Sequence, residues 1–213
     1  KLMAGCLSEA VLRRLPRYYR YLKELEQDNV MQISSQELAE RMGLTASQIR
    51  QDINCSGGEG RQGFGYSVPQ LRRHIGTVLG IQNKQNMIII GAGNIGRAVA
   101  LSDSFRDSNF NTIAIFDVDP AKIGQKIGAL TVLDYHDIAS FLDQHPVRIA
   151  VLAIPFLNGQ SVVDRLHELG INAYWNFVPT DLNIPDGATI VSVHLEEGLQ
   201  ILSYKINENA NVL

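Results

Sequence analysis

Gly91, Ala92, Gly93, Asn94, Ile95 and Gly96 follow the apolar run Met87-Ile88-Ile89-Ile90 and open a segment with helical spacing. A Gly-x-Gly-x-x-Gly loop between a strand and a helix is built to hold a pyrophosphate. Gly91 permits the tight turn, Gly93 lets backbone approach the phosphates, and Gly96 allows helix and strand to pack closely. The phosphates would rest on the amides at the helix N-terminus, where the dipole favours negative charge. A second apolar run, Thr112 to Phe116, ends at Asp117, 21 residues past Gly96. A carboxylate at that spacing accepts hydrogen bonds from an adenosine ribose and repels a 2′-phosphate. Val118 and Asp119 supply no Arg, so NAD(H) is expected over NADP(H).

Ala153, Ile154 and Pro155 end a later apolar run at the same sheet edge, where the nicotinamide half should lie. Trp175, Asn176 and Phe177 end another and either border that cleft or pack in the core. The expected cofactor set is the six loop residues with Asp117, Val118, Ala153, Ile154, Pro155 and Phe177. The alternatives are a degenerate nucleotide fold, or one holding another adenine nucleotide such as coenzyme A.

Redox catalysis would also need a proton donor or acceptor beside the hydride path. Within 81–213 no Tyr-x-x-x-Lys pair occurs. His136 and His145 flank a helix that reads as solvated, and His167 reads as a surface residue. No metal-ligand spacing is present, so no metal is expected. A non-enzymatic sensor is the favoured reading, with an NAD-dependent oxidoreductase as its rival.

The elements that must position this loop alternate. Runs of strand character at MIIIG, TIAIFD, RIAVLAIP, INAYWNF and ATIVSV are separated by helical segments IGRAVALSDSF, DYHDIASFLDQH and QSVVDRLHELG. That alternation predicts an α/β unit with a parallel sheet and right-handed crossovers. It spans 81–192. Beyond it, Leu195, Leu199, Leu202 and Ile206 recur at helical spacing over 193–213, so a terminal helix must bury an apolar face on its own subunit or on a partner.

Residues 1–80 differ in character. They hold 11 Lys and Arg against 8 Asp and Glu, while the remainder holds 8 against 14. A positive first third hints at a polyanionic partner. Leu7, Val11, Leu15, Tyr18, Leu22 and Leu25 form one helical face, with a kink or break expected at Pro16. Ser34 with Glu37, and Thr45 with Gln48, are capping boxes, and Gly43 closes the first of two short helices. Such a pair resembles a helix-turn-helix. Its second helix would turn Ser47, Gln48, Arg50 and Gln51 toward the major groove; the alternative is an ordinary packed helix pair.

The stretch CSGGEGRQGFGYSV then excludes helix. Phe64, Tyr66 and Val68 alternate like a short strand, so a winged helix is expected. Arg61 and the backbone of Gly63, Gly65 and Tyr66 would lie along phosphates. VPQLRRHIGTVLG closes this unit as a helix, with Leu71, Ile75 and Leu79 on one face. A polar linker, Gly80 to Asn86, follows.

No apolar run is long enough to span a bilayer and no secretory leader is read, so a cytoplasmic location is expected. Cys6 and Cys55 form no metal or redox motif and read as free thiols.

Along essentially its full length the chain resembles the Rex redox-sensing transcriptional repressors. The resemblance rests on RRLPRYYRYL, SSQELAERMGLTASQIRQDI, GGEGRQGFGYSV, GAGNIGRAVA, FDVDP, WNFVP and the terminal LSY. It implies a homodimer, an N-terminal winged helix, a Rossmann core, and a C-terminal helix swapped onto the partner subunit. It also implies binding to palindromic operator DNA when NADH is low and release when NADH rises, with NAD⁺ competing for the site. Two departures stand out. The aromatic-rich approach to the family's wing is here Asn54-Cys55-Ser56-Gly57-Gly58-Glu59-Gly60. Where some members use an Asp, an Arg and a Tyr as a redox switch, this chain places His194, Arg14 and Ser102, so an Asp–Arg switch bridge cannot form as such.

Overall fold

The computed structural model describes residues 7–60 and 64–210. The chain divides into two compact units between Asn83 and Lys84.

The first unit begins with α1, Glu9–Gln27, capped by the Ser8 hydroxyl. Val11, Leu15, Tyr18, Leu22 and Leu25 are its buried face. The helix runs through Pro16 without the expected break. Pro16 lies on the exposed side, so the carbonyl deprived of its N–H partner can be hydrated while five core contacts hold the opposite face.

Next come β1 (Gln32–Ile33), α2 (Ser35–Met42) and α3 (Ala46–Cys55). Both capping boxes form, and Gly43 takes the left-handed conformation at φ 65° between the helices. β2, Tyr66–Ser67, pairs antiparallel with β1. The predicted alternation is therefore corrected. Val68 is the first residue of α4, Val68–Val78, and the partner strand, β1, precedes the helix pair. Two residues of strand are too short to leave a period in the sequence. Leu38, Met42, Ile49, Ile53, Tyr66, Leu71 and Ile75 join the α1 face in one core.

The second unit is a seven-stranded sheet. Its strands are β3 (Gln85–Ile90), β4 (Phe110–Asp117), β5 (Lys126–Ile127), β6 (Leu130–Asp134), β7 (Ile149–Leu152), β8 (Ala173–Asn176) and β9 (Thr189–Ser192). Their order is β5-β6-β4-β3-β7-β8-β9. All neighbours are parallel except the β5–β6 hairpin. Leaving out β5, this is the doubly wound 3-2-1-4-5-6 order, which reverses beside β3. The crossover helices are α5 (Asn94–Leu101), α6 (Ile138–Gln144) and α7 (Gly159–Glu168). The β5–β6 hairpin is not foreseen from the sequence; its strands are short and one lies at the sheet edge. Ile88, Ile90, Phe116, Val151 and Leu152 fill the two sheet faces.

Helix α8, Leu195–Ala210, closes the chain. Its apolar residues remain open: Leu195 62%, Leu199 68%, Leu202 52% and Ile206 58% exposed. This face is not buried on its own subunit.

Candidate nucleotide cleft and DNA surface

The carboxyl ends of β3, β4, β6, β7 and β8 surround a cleft of about 790 Å³. This is where a sheet of this order places its ligand. The strand tips are held by ladder bonds that continue past them: Gly91 N–H to Phe116, Ala153 N–H to Ile90 and Phe177 N–H to Leu152.

Each glycine of the loop has its own reason. Gly91 sits at φ 102°, and a Cβ there would strike the Ala153 carbonyl. A Cβ on Gly96 would strike the Gly91 carbonyl and crowd Ile89. At Gly93, the residue before α5, a Cβ would meet no protein atom within 4 Å. The space that Gly93 leaves open faces the cleft, and no side chain caps the first turn of α5. A phosphate can therefore reach the free amides.

Of the expected cofactor residues, Gly91, Gly93, Asn94, Ile95, Asp117, Val118, Ala153, Ile154, Pro155 and Phe177 line the cleft. Ala92 and Gly96 do not. Ala92 is buried and its N–H donates to Asp117 Oδ2 at 2.7 Å, while Gly96 is spent on helix–strand packing.

Asp117 is only 8% exposed. It accepts the Ala92 N–H, the Asp119 N–H at 2.9 Å and the Lys122 ammonium at 3.1 Å. Burial pushes its carboxyl up, but the two amides and Lys122 outweigh this and hold it below the usual carboxylate range. The carboxylate thus braces the middle of the glycine loop as well as facing the cleft.

Lys122, Asp119, Tyr135, His136, Asn158, Ser161 and Pro179 also line the cleft. Sequence reasoning missed most of them. His136 precedes α6 as expected, and it also stands just past the carboxyl end of β6, its Nδ1 2.7 Å from Asp134. Recognising β6 would have placed it by the same edge rule that placed Asp117. Phe177, the residue after β8, lines the cleft. Trp175 backs it edge-on at 4.7 Å. Asn176 is fully buried and braces the turn by accepting the Val178 N–H.

In the first unit, Ser47, Gln48, Arg50 and Gln51 are all exposed on α3. Gln48 is partly committed, since its carbonyl accepts from the Thr45 N–H and hydroxyl. Arg50 donates to the Ser35 hydroxyl at 3.0 Å. Arg61 and Gly63 lie outside the described residues. Gly65, at φ 73°, is pressed onto the Ile33 backbone, and Tyr66 is 5% exposed in the core. Both fix the base of the wing.

Arg14 is likewise engaged inside its own unit. It pairs bidentately with Asp52 of α3, to which Tyr18 also donates. Ser102 ends α5 and His194 precedes α8 as a half-buried residue.

Together these features define a class: a DNA-binding unit joined to a dinucleotide-binding fold. Comparison with known proteins agrees. Residues 7–54 match the family described as "Putative DNA-binding protein N-terminus", and residues 82–180 match "CoA binding domain". The redox-sensing transcriptional repressor Rex of Thermoanaerobacter sp. (strain X514) is 48% identical over 95% of this chain and 90% of that protein. Rex of Clostridium beijerinckii is 44% identical over 95% and 96%. The crystal structure of RSP in complex with NAD⁺ and operator DNA is 47% identical, covers 97% of this chain and 95% of its own, and superposes with a TM-score of 0.90. RSP in complex with NADH gives 46% and 0.88, with 97% of each chain covered. The chain belongs to the Rex family of redox-sensing transcriptional repressors. It is a regulator, not an oxidoreductase.

Proposed function

We propose that this chain is a homodimeric repressor that binds palindromic operator DNA through α3 and the wing, and releases it when NADH fills the cleft. The single observation that carries the reading is the cleft itself. An open Gly93, an uncapped α5 and a buried anionic Asp117 converge where a pyrophosphate and an adenosine ribose would lie. The RSP complexes with NADH, and with NAD⁺ and operator DNA, support both halves.

NAD(H) is favoured over NADP(H) because Asp117 and Asp119 place two carboxylates at the ribose edge, with Lys122 shared between them. NAD⁺ competes for the same cleft. The apolar Ala153–Ile154–Pro155 edge suits the neutral reduced ring better than the cationic one. A ligand shifts a two-state dimer only by its differential affinity for the two states, so NADH must favour the state whose recognition helices no longer match two half-sites. The open face of α8 is suited to packing against a second copy, as a swapped helix. Among the described residues no helix is long and apolar enough to cross a membrane, and a cytoplasmic site of action fits a DNA-binding repressor.

The match to the CoA binding domain family raises coenzyme A as a second ligand for this fold. One titration separates the readings. Labelled operator duplex held by the protein is challenged with NADH, NAD⁺, NADPH and coenzyme A. Release by NADH at far lower concentration than by the others is expected. Release by coenzyme A alone would overturn the redox reading.

A further inference from the structure

Phe64 is 77% exposed in a unit whose other aromatic residues are buried or half-buried. Its position is held from below. Gly65 is fixed against the Ile33 backbone, and Tyr66 is buried with its ring against Gly60, where a Cβ would come within 2.6 Å. The ring therefore projects from an anchored base. It lines a broad surface cleft of about 790 Å³ together with Arg50, Asn54, Ser34 and Ser35. Arg50 and Asn54 belong to the exposed face of α3. The Arg50 guanidinium and the two serine hydroxyls are donors suited to a phosphodiester strand; the Glu37 carboxylate also lines the cleft and accepts the Ser34 N–H.

We propose that Phe64 is an apolar wedge that enters the operator's minor groove. The inference rests on the repressor reading above. With α3 in the major groove, the phosphate strand passes Arg50 and the serine hydroxyls, and the next groove beyond it is the minor one. A phenyl ring has no donor for phosphate. It gains by leaving water and pressing between base steps, as apolar wedges of minor-groove proteins do.

The test uses the full-length protein and a labelled palindromic duplex that the protein itself selects from a random-sequence pool. Phe64→Ala is expected to weaken binding about ten-fold with an unchanged salt slope, because no phosphate contact is lost. Phe64→Leu keeps most of the affinity. Thermal unfolding and NADH binding stay as in the unmodified protein, since the ring is open to solvent. Replacing adenine by diaminopurine at the steps flanking the α3 site adds an amino group in the minor groove only. It should weaken the unmodified protein and leave Phe64→Ala indifferent. Equal binding by Phe64→Ala would overturn the wedge and leave the repressor reading intact. So would a difference that disappears when uracil replaces thymine, which would place the ring on a major-groove methyl. Failure of the unmodified protein to select any duplex would overturn both.

Discussion

The Arg14 guanidinium grips the Asp52 carboxylate through two parallel hydrogen bonds, 2.7 Å from Nε and 2.8 Å from Nη2. Tyr18 adds a third at 2.8 Å. Asp52 is 2% exposed, on the side of α3 that faces α1. The recognition helix is thus fixed in rotation by a charge pair, with Ser47, Arg50 and Gln51 left outward. Removing one partner strands a buried charge. Arg14→Ala or Asp52→Ala is expected to destabilise the first unit by about 3 kcal/mol. Chemical denaturation should show this unit melting earlier while NADH affinity is unchanged. Replacing both residues by Met and Leu should restore much of the stability.

The same pair sets an acid limit. Burial pushes the Asp52 carboxyl up, but the bonds from Arg14 and Tyr18 prevail and hold it below the usual range. A depressed folded value means the stabilisation is complete above the unfolded carboxyl's ordinary value, about 3.9, and is lost as pH falls through the folded value. Urea midpoints measured downward from pH 6 should hold level and then fall below about pH 4. In Asp52→Asn the part of that fall due to this residue should vanish.

Much of this was legible beforehand, for identifiable reasons. The capping boxes at Ser34 and Thr45, the turn at Gly43 and the loop at Gly91–Gly96 are local chemistry, written in contiguous residues. Asp117 was legible because strand length fixes its distance from Gly96. Lys122, Tyr135 and His136 were not, because the β5–β6 hairpin that brings them to the cleft leaves too short a pattern. The Arg14–Asp52 pair joins residues 38 apart in sequence, and no periodicity reports a contact between two helices. Val68 departs from the alternation because β2 is only two residues long and α4 begins at once after it.

Two glycines of the loop should separate folding from binding. Ala at Gly96 drives a Cβ into the Gly91 carbonyl, so Gly96→Ala should lower the melting temperature of the nucleotide unit. Ala at Gly93 meets no protein atom, so Gly93→Ala should melt normally yet bind NADH weakly. Calorimetry and an NADH titration on the two variants would check this. Equal melting losses would mean that Gly93 also serves the protein alone.

Asp117→Ala should free the Ala92 amide and loosen the loop, weakening NADH about ten-fold or more. Operator binding without NADH should persist. The readout is built in. Trp175 is the only tryptophan and stacks edge-on against Phe177 in the cleft wall, so NADH bound there should quench its emission by energy transfer. Loss of DNA binding in this variant would show that the site is structural and not regulatory.

The open face of α8 makes the last prediction. Leaving Leu195, Leu199, Leu202 and Ile206 in water forfeits about 1.5–3 kcal/mol for each side chain that could be buried. A second copy offers the burial. Leu199→Asp with Leu202→Asp should therefore convert a dimer to monomers in sedimentation velocity without unfolding either unit, since neither residue contributes to a core. A monomer presents one recognition helix where a palindrome offers two half-sites, so operator affinity should collapse while affinity for a half-site duplex changes little. A variant that remains dimeric would place the subunit contact on another surface and leave the apolar face of α8 for a different partner.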